Sequence, residues 1–219
     1  MRVEVPRLEK APKVDGVWEK EPWSRIPHLS LARAMGEPPV HRPDVRVKVA
    51  YDPEAVFLVF RVEDRYVRAV ATEYQGRVWE DSCVEFFFTP GTDLREGYFN
   101  LEMNCGGTAL FHHQKERGLD VVPVAEADFN RLQVAASLPQ VVDPELEGPV
   151  TWTVEVRLPV EVLEKYAHLV RPGPGAVWRG NFYKCADKTS RPHWLTWAPV
   201  GWPRPNFHLP EFFGELEFR

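Results

Sequence analysis

The sequence predicts an all-β fold, an antiparallel sandwich of two sheets (immunoglobulin-like or jelly-roll-like) with one short helix. Two observations carry that prediction. Short apolar runs alternate with polar residues at period two along most of the chain, and 21 prolines among 219 residues are scattered between those runs. Alternation turns one face of a strand to a core and the other to water. Proline lacks the amide that a central ladder needs, so it collects in the turns between strands.

The elements follow in order. The first residues already read as strand. Val45, Val47, Val49 and Tyr51 alternate with Arg46, Lys48 and Ala50. Residues 55–62 (AVFLVFRV) form a nearly continuous apolar run, which suits a strand covered on both faces. Asp52-Pro53-Glu54 between them supplies proline where a β-turn takes it, so the two strands read as a hairpin. Further strands are expected at 83–89, 98–103, 108–113 and 132–138. In 151–158, Trp152, Val154, Val156 and Leu158 share one face, and 177–184 and 214–218 complete the set. Pro159 opens a helical reading to Leu169, with Val162, Leu163, Tyr166 and Leu169 at helical spacing. Many short strands at this spacing point to a sandwich or barrel. Residues 122–148 are loop-rich yet contain a strand, and there is no internal repeat, so residues 1–219 are expected to form one domain. Residues 190–210 are rich in proline and tryptophan without regular period, the signature of an ordered loop with a task.

Composition narrows the function classes. A formal net charge of -5 speaks against a nucleic-acid partner, which needs a basic stripe. No run approaches the roughly 18 apolar residues of a membrane span, so no membrane partner is expected. Residues 1–16 lack the basic-then-apolar layout of a signal peptide, and three separated cysteines, Cys83, Cys105 and Cys185, make no disulfide framework. Together these point to the cytoplasm. The eight tryptophans serve either as core or as flat platforms for sugar rings.

Strand parity shows which side chains share a polar face. Val84, Phe86 and Phe88 point one way and Glu85 the other. Phe99, Leu101 and Met103 oppose Asn100, Glu102 and Asn104. Trp178 and Phe182 oppose Arg179, Asn181 and Tyr183. Carboxylate, amide and guanidinium groups beside aromatic rings are what a sugar requires, rings for its C–H faces and planar polar groups for its hydroxyls. A solvated outer sheet face would show the same alternation.

The segment Val78-Trp79-Glu80-Asp81-Ser82-Cys83-Val84-Glu85-Phe86-Phe87 resembles the Trp-x-x-Asp-Ser-Val-Glu-Ile-Phe signature of family 9 carbohydrate-binding modules. Val14-Asp15-Gly16-Val17-Trp18 with Trp23 resembles the family's opening. Tyr98-Phe99-Asn100-Leu101 with Asn104 and Gly106 resembles its central strand and turn. The run from Trp152 to Pro159 resembles the strand before its small helix, and Asn206-Phe207-His208 through Phe213-Gly214 its closing strand. The resemblance implies a DOMON-like β-sandwich that clamps a mono- or oligosaccharide between two aromatic rings. Trp79 matches one jaw and Glu85 a hydroxyl-binding carboxylate, and the polar residues ahead of the closing loop fall near Arg179 and Asn181. The family's second jaw is a Trp at the position of Phe207, so Phe207, Trp202 and His208 are the candidates for the opposite wall, with Asn100 and Asn104 as further polar contacts. The resemblance also admits structural calcium and implies a separately encoded glycosidase as partner in carbohydrate catabolism.

The sequence offers residues for two other chemistries. Glu80, Asp81 and Glu85 supply the carboxylates of a glycoside hydrolase, although Asp81 beside Ser82 also suits backbone capping. Met103 with His112, His113 or Lys184 could ligate haem in an electron-transfer sandwich, although Met103 shares a face with Phe99 and Leu101. No Cys-x-x-Cys or His-x-x-x-His spacing is present, which argues against structural zinc. The expectation is non-catalytic sugar binding with no required cofactor.

Overall fold

A computed structural model describes residues 1–219. Strands β1 (Arg2–Val5), β2 (Leu29–Ser30), β3 (Arg33–Ala34), β4 (Asp44–Tyr51) and β5 (Ala55–Ala69) come first. They are followed by β6 (Cys83–Thr89), β7 (Tyr98–Asn104), β8 (Ala109–Gln114), β9 (Val122–Pro123), β10 (Gln133–Ala136) and β11 (Val142–Pro159). The chain closes with β12 (Val177–Cys185), β13 (Trp194–Thr196) and β14 (Gly214–Phe218). One sheet runs β1-β14-β12-β6-β7-β8-β9, with β13 joined to β12 and β3. The other runs β10-β11-β5-β4-β2. All pairings are antiparallel except β1 with β14.

The two sheets close on a cluster of 37 buried residues. Val84, Phe86 and Phe88 of β6, Phe99, Leu101 and Met103 of β7, and Trp178 and Phe182 of β12 all enter it, as their parity predicts. Phe86 stacks on Phe182 at 4.9 Å and Phe88 on Trp178 at 5.4 Å. The continuous apolar run of β5 has the predicted cause. Val56, Leu58 and Phe60 face this core, while Ala55, Phe57 and Val59 face a second cluster with Trp18 and Trp23 of the N-terminal segment. Glu155 of β11 pins that segment by accepting from the amides of Asp15 (2.9 Å) and Gly16 (2.8 Å) and from Trp23 Nε1 (2.7 Å). Such a buried carboxylate is tolerated because its lone pairs are met by donors.

The helical reading at 159–169 shortens to one turn, α2 (Val160–Leu163), and an unpredicted turn, α1 (Glu126–Phe129), precedes β10. Val162, Leu163, Tyr166 and Leu169 still pack against the core, so the spacing reported burial correctly without a long helix. Val160 and Val162 restrict side-chain freedom in so short a helix, and tertiary packing rather than propensity holds it. β5 and β11 run beyond their predicted ends and pair with each other through register shifts between Val142 and Val150. Their distal halves carry charged residues that obscure alternation.

Candidate functional site

A cavity of about 380 Å³ opens on the outer face of the larger sheet, the side turned away from the inter-sheet core. The floor comes from alternate residues of four strands: Glu85 and Phe87 of β6, Asn100 and Glu102 of β7, Leu110, His112 and Gln114 of β8, and Cys185 of β12. Trp79, Trp194, Phe207 and His208 rise around it. Parity therefore built the centre of the floor: Glu85, Asn100 and Glu102 each stand between two core residues in sequence.

Trp79 sits in a one-turn 3-10 helix (Val78–Glu80) that has no side-chain cap of its own. Asp81 anchors its end. The Asp81 Oδ2 atom, fully buried, accepts from the amides of Val70 and Ala71 at 2.9 Å and from Asn104 Nδ2 at 3.0 Å. Cys185 Sγ and the Asp187 amide then donate to the Trp79 carbonyl at 3.4 and 3.3 Å. Trp194 is held from β13, where it is the register partner of Cys185, and its indole Nε1 donates to Asp187 Oδ1 at 2.8 Å. Phe207 stacks on Tyr183 at 4.1 Å, and its carbonyl accepts from the Tyr183 hydroxyl at 3.2 Å. One face of the Phe207 ring is thus committed to the protein.

The floor is a connected polar chain. Gln114 Nε2 donates to Asn100 Oδ1 at 2.8 Å, and Asn100 Nδ2 donates to Glu102 Oε1 at 2.9 Å. His208 Nδ1 faces the Tyr98 hydroxyl at 2.9 Å and Gln114 Nε2 at 3.3 Å. Gln114 Nε2 can only donate, so His208 Nδ1 accepts and the neutral ring carries its proton on Nε2. Burial, reinforced by the positive charge of Arg117, pushes the His208 pKa down to about 4. Burial raises Glu102 to about 7 and lifts Glu85, its register partner, well above the ordinary carboxyl range. Asp187 is raised by burial as well. Burial favours the protonated form of each, and a protonated carboxyl both donates and accepts, which matches hydroxyl ligands.

The structure gathers Trp79, Glu85, Asn100, Phe207 and His208 around one cavity. Asn104, Arg179, Asn181 and Trp202 lie outside its lining. Asn104 shapes its turn: Oδ1 accepts from the amides of Gly106 and Thr108, and Nδ2 donates to Asp81 and to the Ala71 carbonyl. Arg179 donates to the carbonyls of Phe213 and Gly214, and Asn181 bonds both backbone groups of Ala198. Both have the expected parity, but the chain from Trp197 to Phe213 crosses over them. Trp202 is half exposed.

Sequence reasoning did not single out His112, Gln114, Arg117, Asp187 and Trp194 as sugar contacts, and it placed Glu102 on this face without assigning it a role. Parity along β8 could have found His112 and Gln114. Trp194 lay in the aromatic loop, but only its pairing with β12 brings it beside the cavity.

The hydrolase trio does not assemble. Glu85 alone lines the cavity, Glu80 pairs with Arg77 and Lys188, and Asp81 is spent on backbone amides. The haem set does not assemble either. Met103 is sealed in the inter-sheet core while His112 faces the cavity on the opposite side of the sheet. His113 bonds the Glu96 carbonyl, and the buried Lys184 ammonium is bound to His193 and to the Cys185 carbonyl.

The family model of carbohydrate-binding family 9 matches residues 24–218, nearly the whole sandwich. The chain belongs to carbohydrate-binding family 9. This family 9 domain is 31% identical to a candidate carbohydrate-binding protein from Bacteroides uniformis. Their structures share a TM-score of 0.87 over 100% of this chain and 99% of the other. A family 9 module from Caldicellulosiruptor kristjanssonii, solved in complex with glucose and with cellotriose, gives a TM-score of 0.69 in both cases at 16% identity. The match covers 100% of this chain and 96% and 94% of those chains. At that identity the likeness speaks for the fold. No curated protein matches the chain. Carbohydrate binding is accordingly the function of this domain, carried on the predicted β-sandwich.

Proposed function

We propose that the cavity between Trp79 and Trp194 is the sugar site, and that it takes a glucose unit or the end of a short gluco-oligosaccharide without making or breaking a bond. One observation carries this reading: two indoles, Trp79 and Trp194, line the same cavity as the buried Glu85, Asn100 and Glu102, and that cavity is large enough for one or two sugar rings. Rings cover the apolar faces of a sugar, and the floor meets its hydroxyls. The glucose and cellotriose held by the Caldicellulosiruptor kristjanssonii module support the choice of ligand class. Phe207 and His208 complete the wall, and Trp194 rather than Trp202 is the second aromatic jaw. A separately encoded glycosidase is the natural beneficiary of such a module.

Calorimetric titration with glucose, cellobiose and cellotriose tests the site. Trp79→Ala and Trp194→Ala should each weaken binding by about 1–2 kcal/mol, roughly five- to thirty-fold. Trp202→Ala should leave affinity unchanged. Wild-type affinity in both folded jaw variants would place the sugar elsewhere.

A further inference from the structure

One cluster of metal-ligating side chains joins Glu85 of the sugar floor to two cysteines that the sugar reading does not use. Cys83 and Cys185 are directly opposed across β6 and β12, and Glu85 stands two residues along β6 on the same face. The two sulfurs and a Glu85 carboxylate oxygen all lie within 4.8 Å of one another, and Cys185 Sγ is 3.0 Å from Glu85 Oε1. In tetrahedral zinc, bonds of about 2.3 Å to sulfur and 2.0 Å to oxygen put neighbouring ligand atoms about 3.5–3.8 Å apart. The 3.0 Å contact and the 4.8 Å upper bound bracket those spacings. All three residues are buried, whereas Cys105 is packed into the inter-sheet core away from them.

We propose that Cys83, Cys185 and Glu85 form a binding site for a borderline divalent cation, Zn²⁺ by preference, on the floor of the cavity. Two thiolates and a carboxylate are soft and mixed donors that select zinc over calcium or magnesium. Three protein ligands leave the fourth tetrahedral position open, and since Glu85 and Cys185 line the cavity, that position faces it. On binding, the Cys83 and Cys185 thiols and the Glu85 carboxyl each release a proton to solvent as their bonds to the metal form, and the ion offsets two of the three negative charges so created. The absence of Cys-x-x-Cys spacing does not count against the site. Opposed residues of an antiparallel pair are close in space at any sequence separation.

Co²⁺ titration of the reduced, full-length protein reads the site directly, because thiolate ligation produces a sulfur-to-cobalt charge-transfer band in the near ultraviolet. The expected result is saturation at one Co²⁺ per chain, with the band displaced by Zn²⁺. Cys83→Ser and Cys185→Ser should each reduce the band at least by half and weaken Co²⁺ binding at least ten-fold, while Cys105→Ser should leave it intact. Wild-type protein that binds Co²⁺ without the band, or does not bind it, would overturn the assignment whether or not the variants fold. A full band in a folded Cys185→Ser variant would overturn it equally.

Discussion

Glu155→Ala tests how the N-terminal segment is held to the sandwich. Glu155 lies on the outer face of the β11 sheet, opposite the cavity, and is fully buried. Its carboxylate accepts from Asp15 N, Gly16 N, Trp23 Nε1 and Lys20 Nζ at 2.7–2.9 Å. On truncation the Lys20 ammonium can turn to water, but the other three donors lose their acceptor, and Trp23 is sealed under its cluster. A hydrogen bond to a charged group is worth about 1.5–3 kcal/mol, and water entering the vacated space recovers part of it. The net loss should be about 3–5 kcal/mol, a large share of the roughly 5–15 kcal/mol that holds a domain together. With a urea dependence near 3 kcal/mol per molar, the midpoint should fall by about 1–2 M. Glu155→Gln, which keeps one acceptor, should fall between the two. Equilibrium unfolding followed by tryptophan fluorescence measures this, and sugar titration on the folded variant should return wild-type affinity. A midpoint lowered by less than about 0.3 M would refute the reasoning.

Two further outcomes follow from buried polar groups. Asn181 Oδ1 accepts from Phe182 N at 2.9 Å and Ala198 N at 2.8 Å, and Nδ2 donates to the Ala198 carbonyl at 3.2 Å. Asn181→Ala should therefore cost about 2–4 kcal/mol in urea unfolding while changing sugar affinity less than Trp79→Ala does; the reverse pattern would move Asn181 into the site. His193 receives the Lys184 ammonium at Nε2 (2.8 Å) and donates from Nδ1 to the Arg191 carbonyl (2.9 Å), which leaves no room for a second proton. Burial first, and the Lys184 charge second, push its pKa down to about 3, against about 6.5 for an unfolded histidine. The unfolded chain then binds the extra proton between these values. The His193 contribution is complete above pH 6.5 and is lost as pH falls toward 3, by at most about 1.4 kcal/mol per pH unit. The urea-midpoint gap between wild type and His193→Gln should narrow steadily from pH 7 to about 4.5, and a constant gap would show that His193 is not held neutral.

Most of the fold was legible because strand parity is a local property. Val84, Phe86 and Phe88 against Glu85, or Phe99, Leu101 and Met103 against Asn100 and Glu102, need only the pleat to sort them into core and outer face. The double-sided run of β5 was legible for the same reason, since both its faces are covered. The short helix after Pro159 is present but stops at Leu163 rather than Leu169, because helical spacing and burial coincide over so short a span.

The sequence by itself determined a β-sandwich of carbohydrate-binding family 9, which outer face carries the polar residues, and Trp79 with Glu85 as neighbours on it. Tertiary structure alone decided how far along that face the cavity extends. Arg179 and Asn181 share the face, yet the crossing chain from Trp197 to Phe213 buries Asn181, half-covers Arg179 and takes polar atoms of both onto its backbone. Trp194 becomes a wall because β13 pairs with β12, a contact that loop sequence does not encode. Cys83 and Cys185, far apart in the chain, meet for the same reason. Parity is set by each residue's immediate neighbours, whereas register between distant strands and the path of a loop are set by the whole core at once.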